Sequence, residues 1–422
     1  MGASSDDFIG KDRIIRIENT GNSAAKRRFV RILYHHRIRS KDGQAVHLEE
    51  LIGSLRELGH EILLVGPEAF ERASFGHDPK LLSAMKKLIP KLVYEALEIA
   101  YNVRAYFRLR RACASFRPDV IYERYNLYSL AGMWCRKRGR LPLLLEVNAP
   151  LARERASFGG LGMPGLARKL ERWVWRSADR VLPVSRVLAG EICAAGTDPE
   201  RITVIPNGVH PENFPPDGVE SVKKDLKLQG KIVLGFAGFV RDWHGLDSVV
   251  DLVARPDAPS NLHFLVVGDG PALGPLKKQV EYLNVADKIT FAGLVDREQL
   301  PQHIAVFDIA LLPRCVEYCS PLKLFEYMAA AKAIVAPAQE NVREILEDGT
   351  SGILFSPGDR EAMAGAILRL ANDAELRNGL GRAARELISA RGYTWTNNAK
   401  RVSAIAASLA KGSRRRLGNA LL

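Results

Sequence analysis

Residues 308–337 read DIALLPRCVEYCSPLKLFEYMAAAKAIVAP. A short apolar run (DIALLP) leads into a polar stretch, a helical segment opening near Pro321, and a second apolar run, AIVAP at 333. Strand, helix and strand in that order specify a parallel pair joined by a crossover. The alternation extends upstream through KIVLGFAG at 231, LHFLVVG at 262 and KITFAG at 288. An earlier series comprises RILY at 31, EILLV at 61, DVIY at 119, LPLLLEV at 141, DRVLPV at 179 and ITVIP at 202. Such short apolar runs suit strands buried on both faces. Between the first two, residues 47–58 show helical spacing at Leu48, Leu51, Ile52, Leu55 and Leu58, and Gly59 ends the helix.

The two series meet at PNGVHPENFPPDG (206–218), whose four prolines and two glycines mark a linker. The expected fold is therefore α/β, with two doubly wound Rossmann-like domains facing across a cleft. The expected divisions are a polar tail at 1–28, one domain at 29–206 and a second at 207–394. A helix at 395–412 then packs back on the first domain, and a basic tail occupies 413–422. Ligands of open parallel sheets bind at the carboxyl ends of the strands, so the cleft is where function is sought.

Of the 422 residues, 47% are hydrophobic and 26% charged, which rules out a disordered or fibrous chain. No apolar run is long enough to span a bilayer. The acidic, polar N-terminus lacks the signal-peptide and myristoylation patterns, so the expected location is cytoplasmic. Five scattered cysteines do not make a disulfide framework, and Cys315 and Cys319 are read as reduced thiols. The net charge of +13 is lopsided: residues 1–210 hold 35 Lys and Arg against 23 Asp and Glu. The first half is thus expected to meet something anionic. Within it, residues 80–117 interleave Lys86, Lys87, Lys91, Arg104, Arg108, Arg110 and Arg111 with apolar side chains, a pattern that suits an anionic membrane surface. The same pattern also suits packed helices with solvated cations. No recognition motif accompanies the basic surface, so no nucleic-acid partner is expected.

The strongest chemical signal is SPLKLFEYM at 320–328. A helix N-terminus offers unpaired N–H groups and a positive dipole end to phosphate oxygens. Lys323 in the first turn is unfavourable for the helix itself, which argues for an anion facing it. Glu326, one turn on, can accept hydrogen bonds from vicinal hydroxyls; the two residues equally suit a solvated i, i+3 ion pair.

This segment and its continuation to SGILFSPGD resemble the donor site of retaining glycosyltransferase family 4, of the B-type glycosyltransferase fold. GHEILLVGP at 59, ADRVLPVS at 178, IPNGV at 205 and VVGDGP at 266 are similar to the same family, in the right order over roughly residues 30–400. The resemblance implies that the second domain binds a nucleotide-diphosphate sugar as co-substrate and the first binds a saccharide or lipid-linked acceptor. It implies transfer with retention, with no metal and no further cofactor, in the synthesis of a cell-surface polysaccharide or glycolipid. A sugar-nucleotide epimerase of the same fold and a catalytically degenerate binding subunit are the alternatives.

Carried over by position, Glu326 matches the glutamate that holds the ribose hydroxyls. Ser320 and Pro321 fall in the turn meeting the diphosphate. The partner glutamate, eight residues earlier, is replaced by Tyr318, so Glu317 is expected to fill its role. In GFVRDWHGLD (238–247), Phe239 and His244 stand where the family often has arginine and lysine. Arg241, His244 and Lys323 are therefore expected to neutralise the diphosphate, with Gly43 of the first β–α loop approaching from the other domain. Glu146 and Asn148, ending the LPLLLEV strand, are expected to touch sugar or acceptor, with Glu123 and Arg124 ranked behind them. The base is assigned to the neighbourhood of Phe291, Gly293 and Val295.

Overall fold

The computed structural model describes residues 29–38, 43–67, 90–214 and 219–419. The expected tail at 1–28, the loop residues 39–42, and Lys86 and Lys87 lie outside the described residues. The first sheet contains β1 (Arg31–His35), β2 (Glu61–Val65), β3 (Val120–Arg124), β4 (Leu143–Val147) and β5 (Arg180–Pro183), in spatial order β2-β1-β3-β4-β5. The second contains β6 (Ile232–Ala237), β7 (Leu262–Val267), β8 (Ile289–Gly293), β9 (Ile309–Leu311), β10 (Ala333–Pro337) and β11 (Ile353–Phe355), in order β11-β10-β9-β6-β7-β8. Every strand pairing is parallel. These are the two common doubly wound orders, and they reverse direction between β1 and β3 and between β6 and β9.

Apolar side chains on both faces of each strand explain the double winding. In the second sheet, Leu234, Phe236, Phe264 and Val266 join one core, while Val233, Leu265, Ala310 and Ile334 join another on the opposite side. The ITVIP segment departs from expectation. Thr203 and Ile205 donate N–H bonds to Val181 and Pro183, both at 2.9 Å, but only Ile202 makes a ladder bridge. Pro206 has no N–H to continue the pairing, so the segment stays an edge loop. Conversely, Ile353–Phe355 forms a short edge strand not expected from the sequence.

The chain crosses between the sheets twice, and the crossings pair. Val209 N–H donates to Tyr393 O at 3.1 Å. Gly208 is required there, because a Cβ would lie 2.7 Å from the backbone of Thr394 and Trp395. The closing helix, Trp395–Asn419, then returns to the first sheet's side. Its Ala399, Val402 and Ala406 share a core with Leu48, Leu51 and Leu55 of the Gly43–Glu57 helix. It runs on to Asn419, into the stretch expected as a basic tail.

At the end of β7, Gly268 has φ +125°, and a Cβ there would sit 2.1 Å from Gly238 O at the end of β6. This close approach packs the two strand-end loops together. Gly268→Ala should therefore lower stability by about 2–3 kcal/mol, measured by urea unfolding followed through tryptophan fluorescence.

Candidate functional site

The β6–β9 switch point brings together a lysine, a histidine and a glutamate. The loop after β6 ends in a short turn, Asp242–His244, and the loop after β9 ends at the Leu322–Ala329 helix, with Pro321 at its N-cap. His244 and Lys323 meet there, with Lys323 Nζ 3.4 Å from His244 Nε2 and 3.9 Å from the centre of the Phe236 ring. Burial, reinforced by Lys323 and Arg241, lowers the His244 pKa to about 2, so the ring is neutral. The Arg241 backbone N–H donates to His244 Nδ1 at 3.2 Å. Nδ1 is thus the acceptor, and the ring proton sits on Nε2. With Lys323 protonated, two donors face each other with no acceptor between them.

Burial lowers the Lys323 pKa to about 8 against the opposing pull of Glu326. Burial likewise raises Glu326 to about 7, with Lys323 and Arg297 working against it. Glu326 is half-buried and, among the described residues, its carboxylate accepts no hydrogen bond. An anion accepting from both Lys323 and His244, with hydroxyls on Glu326, would satisfy all three groups.

Other expected residues have different surroundings. Gly43 opens the Gly43–Glu57 helix, and a Cβ there would lie 3.7 Å from Leu322 Cδ1, so this helix start reaches the same place. The Arg241 guanidinium lies over the Phe239 and Trp243 rings, at 4.6 and 4.9 Å. Ser320 is engaged by the linker: its Oγ accepts from Asn207 N–H at 3.0 Å, and its carbonyl from Asn207 Nδ2 at 2.5 Å. Tyr318 is a strut, its hydroxyl donating to Glu154 at 2.6 Å and its carbonyl accepting from Ser185 Oγ at 2.7 Å. Glu317 is exposed and lies near Glu191, whose carboxyl is pushed up by burial and by Glu317. Among the described residues, no hydrogen bond joins Glu317 to the Lys323 group. Phe291 faces Lys277, with Nζ 5.5 Å from the ring centre, Gly293 accepts from Gly268 N–H at 2.7 Å, and Val295 packs against the core.

Across the cleft, Glu146 is buried at the centre of a saturated network. Oε2 accepts from the Tyr34 and Tyr122 hydroxyls at 3.0 and 2.9 Å. Oε1 meets Arg124, His47 Nδ1 at 3.1 Å and Asn148 Nδ2 at 2.5 Å. Burial alone would raise its pKa, but His47 and Arg124 outweigh that and hold it well below the usual carboxylate range. With both oxygens engaged, Glu146 braces the strand ends, and the half-buried Asn148 is the member nearer solvent.

Sequence reasoning missed His47, which looked like one polar residue within an apolar helical stripe. It also missed a charged bridge at the cleft edge. Arg297, beyond β8, pairs with Glu49 at 3.0 Å and with Glu50, and Glu50 pairs with His210 at 3.1 Å. The adjacent acids Glu49 and Glu50 were the signal available.

A family model described as Glycosyltransferase Family 4 matches residues 41–213, and one described as Glycosyl transferases group 1 matches 231–373. A D-inositol 3-phosphate glycosyltransferase of Stackebrandtia nassauensis is 31% identical over 360 residues, 79% of this chain and 81% of that one. A 2-deoxystreptamine glucosyltransferase of Streptomyces kanamyceticus is 29% identical over 228 residues, 51% of this chain. The chain spans 58% of the latter's length. Among solved structures, HepE of Anabaena in complex with UDP-glucose superposes with a TM-score of 0.70 at 18% identity, covering 90% of this chain and 100% of that one.

Two outcomes follow from these geometries. A diphosphate seated here would need the Lys323 ammonium, and hydroxyls beside it would need the Glu326 carboxylate. Nucleoside-diphosphate affinity should therefore peak between about 7 and about 8, falling on the alkaline side as Lys323 loses its proton and on the acid side as Glu326 gains one. By calorimetry, Lys323→Met should remove the alkaline limb and weaken binding about tenfold to a hundredfold. Glu146→Ala, by leaving Arg124 buried without its carboxylate, should cost about 3–5 kcal/mol of stability in chemical denaturation.

Proposed function

The chain belongs to glycosyltransferase family 4, and from that premise we propose that it moves a sugar from a nucleotide-diphosphate sugar to a saccharide or lipid-linked acceptor with retention. The observation that carries this reading is the facing pair of donors on His244 and Lys323 at the second sheet's switch point. Bond cleavage at the anomeric carbon leaves negative charge on the diphosphate, and preorganised donors there lower the barrier. Lys323, the His244 Nε2–H and the N–H groups opening the Leu322–Ala329 helix supply that stabilisation from the chain itself, so the reaction needs no metal. Glu326 holds the ribose hydroxyls. A leaving diphosphate oxygen takes the proton of the attacking acceptor hydroxyl on the same face of the sugar, so retention requires no separate protein base.

The acceptor side falls to the first domain, and its surplus of positive charge supports an anionic or lipid-linked acceptor. Among the described residues no helix is long and apolar enough to cross a membrane. We place the enzyme in the cytoplasm with peripheral attachment, serving a cell-surface polysaccharide or glycolipid. Tyr318, standing where the family pattern has a glutamate, favours a second reading, a binding subunit that has lost catalysis.

Melting curves with UDP, GDP and ADP added separately test the donor site. One nucleotide at a hundred times its Kd should stabilise by about 2.7 kcal/mol, and Glu326→Ala should abolish that shift. Incubation with the matching sugar nucleotide should then yield a glycosylated acceptor with unchanged anomeric configuration, undiminished by a chelator. A nucleotide shift without any transferred sugar would favour the binding subunit, and free epimerised sugar nucleotide would favour the epimerase.

A further inference from the structure

The Lys91–Phe116 helix carries an apolar stripe on the wrong side for a globular core. Val93, Leu97, Val103 and Phe107 recur at helical spacing and are 46 to 59% exposed, as is Leu92 at 56%. The helix cannot rotate to bury them, because its other face is fixed. Ala105 and Leu109 are packed in the core, and Asn102 donates to Tyr128 O at 2.7 Å while accepting from Leu130 N–H at 2.7 Å.

The charge around the stripe has one sign. Lys91, Arg104, Arg110 and Arg111 are exposed on the same helix. Its two carboxylates are already engaged: Glu95 accepts from Gly162 N–H, Met163 N–H and the Tyr128 hydroxyl at 2.6 to 2.8 Å, and Glu98 pairs with Arg155 at 2.6 Å. A second copy docked face to face would bring these cations against one another with no exposed carboxylate on the helix to answer them. An anionic lipid surface answers both features, taking the apolar stripe into its interface and the cations against its headgroups.

The stripe also leads to the site. The loop bearing Gly162 lies on the start of the helix, where a Cβ at Gly162 would be 2.7 Å from Leu92 N. From the same stretch, Phe158 is 57% exposed, and its ring sits 5.1 Å from that of Trp243, the neighbour of His244. We infer that the Leu92–Phe107 stripe with its flanking arginines docks the enzyme on an anionic bilayer, turning the cleft mouth at Phe158 and Trp243 toward the membrane. This deepens the lipid-linked acceptor reading above and rests on it.

The test is sedimentation of the full chain with vesicles of phosphatidylcholine alone or mixed with phosphatidylglycerol. The chain should partition at least about tenfold more strongly onto the mixed vesicles, and less so as salt rises. Val103→Ser with Phe107→Ser, and separately Arg104→Gln with Arg110→Gln, should each lower that partition by about tenfold. Both pairs lie on the surface, so the nucleotide-induced melting shift should be unchanged, which verifies folding. Equal binding to both vesicle types, no binding, or binding that survives both pairs of substitutions overturns the docking face. So does a wild-type dimer in sedimentation velocity that the serine pair dissociates. If vesicle binding fails while the nucleotide shift persists, the docking face falls and the transferase reading stands; loss of the nucleotide shift from the wild type sinks the latter.

Discussion

The grip of the first domain on residues 318–320 is the constraint on which the site depends. Ser185 and Glu154 hold Tyr318, and Asn207 holds both the side chain and the carbonyl of Ser320. These partners come from the first sheet's loops and the linker, whereas the helix that follows belongs to the second sheet. Its N-terminus is therefore fixed in relation to both domains at once. A second tie acts in the other direction: the Glu344 carboxylate accepts from Arg186 and Val187 N–H, at 2.9 to 3.2 Å, at the start of the Arg186–Ala194 helix.

Two polar clusters face the cleft, and their contrast separates frame from site. Around Glu146 every carboxylate lone pair has a partner, so the group is rigid and its charge is settled. Around Lys323 the reverse holds. A half-buried ammonium, a neutral imidazole whose ring proton faces it, and a carboxylate without a donor are costly together unless a ligand completes them. Perturbed groups of that kind in a cleft mark a functional site with a physical reason attached. The exposed stripe of the Lys91–Phe116 helix extends the division of labour, since it joins the basic half to the same cleft mouth.

Much of this was legible in one dimension. Short β-branched runs separated by helical segments are sufficient for two parallel sheets, because burial on both faces leaves a continuous apolar signature. The SPLKLFEYM segment displayed its chemistry, since a lysine in a helix's first turn is unfavourable without an anion to face. The proline-rich stretch at 206–218 marked the linker through residues that cannot continue a ladder or a helix.

What only the tertiary structure decided is who meets whom. Tyr318 read as a lost glutamate and is a strut, because its partner Glu154 lies 164 positions away in sequence. Glu146 read as a ligand contact and sits in a saturated network, because His47, Arg124 and two tyrosines converge on it from the Gly43–Glu57 helix, β3 and β1. Arg297 and Glu50 bridge the cleft from opposite domains, which no local pattern records. Periodicity reports which side of an element is buried, and residue type reports what a side chain can do. Partners distant in sequence, and hence charge state and freedom to bind, are set when the two sheets close on each other.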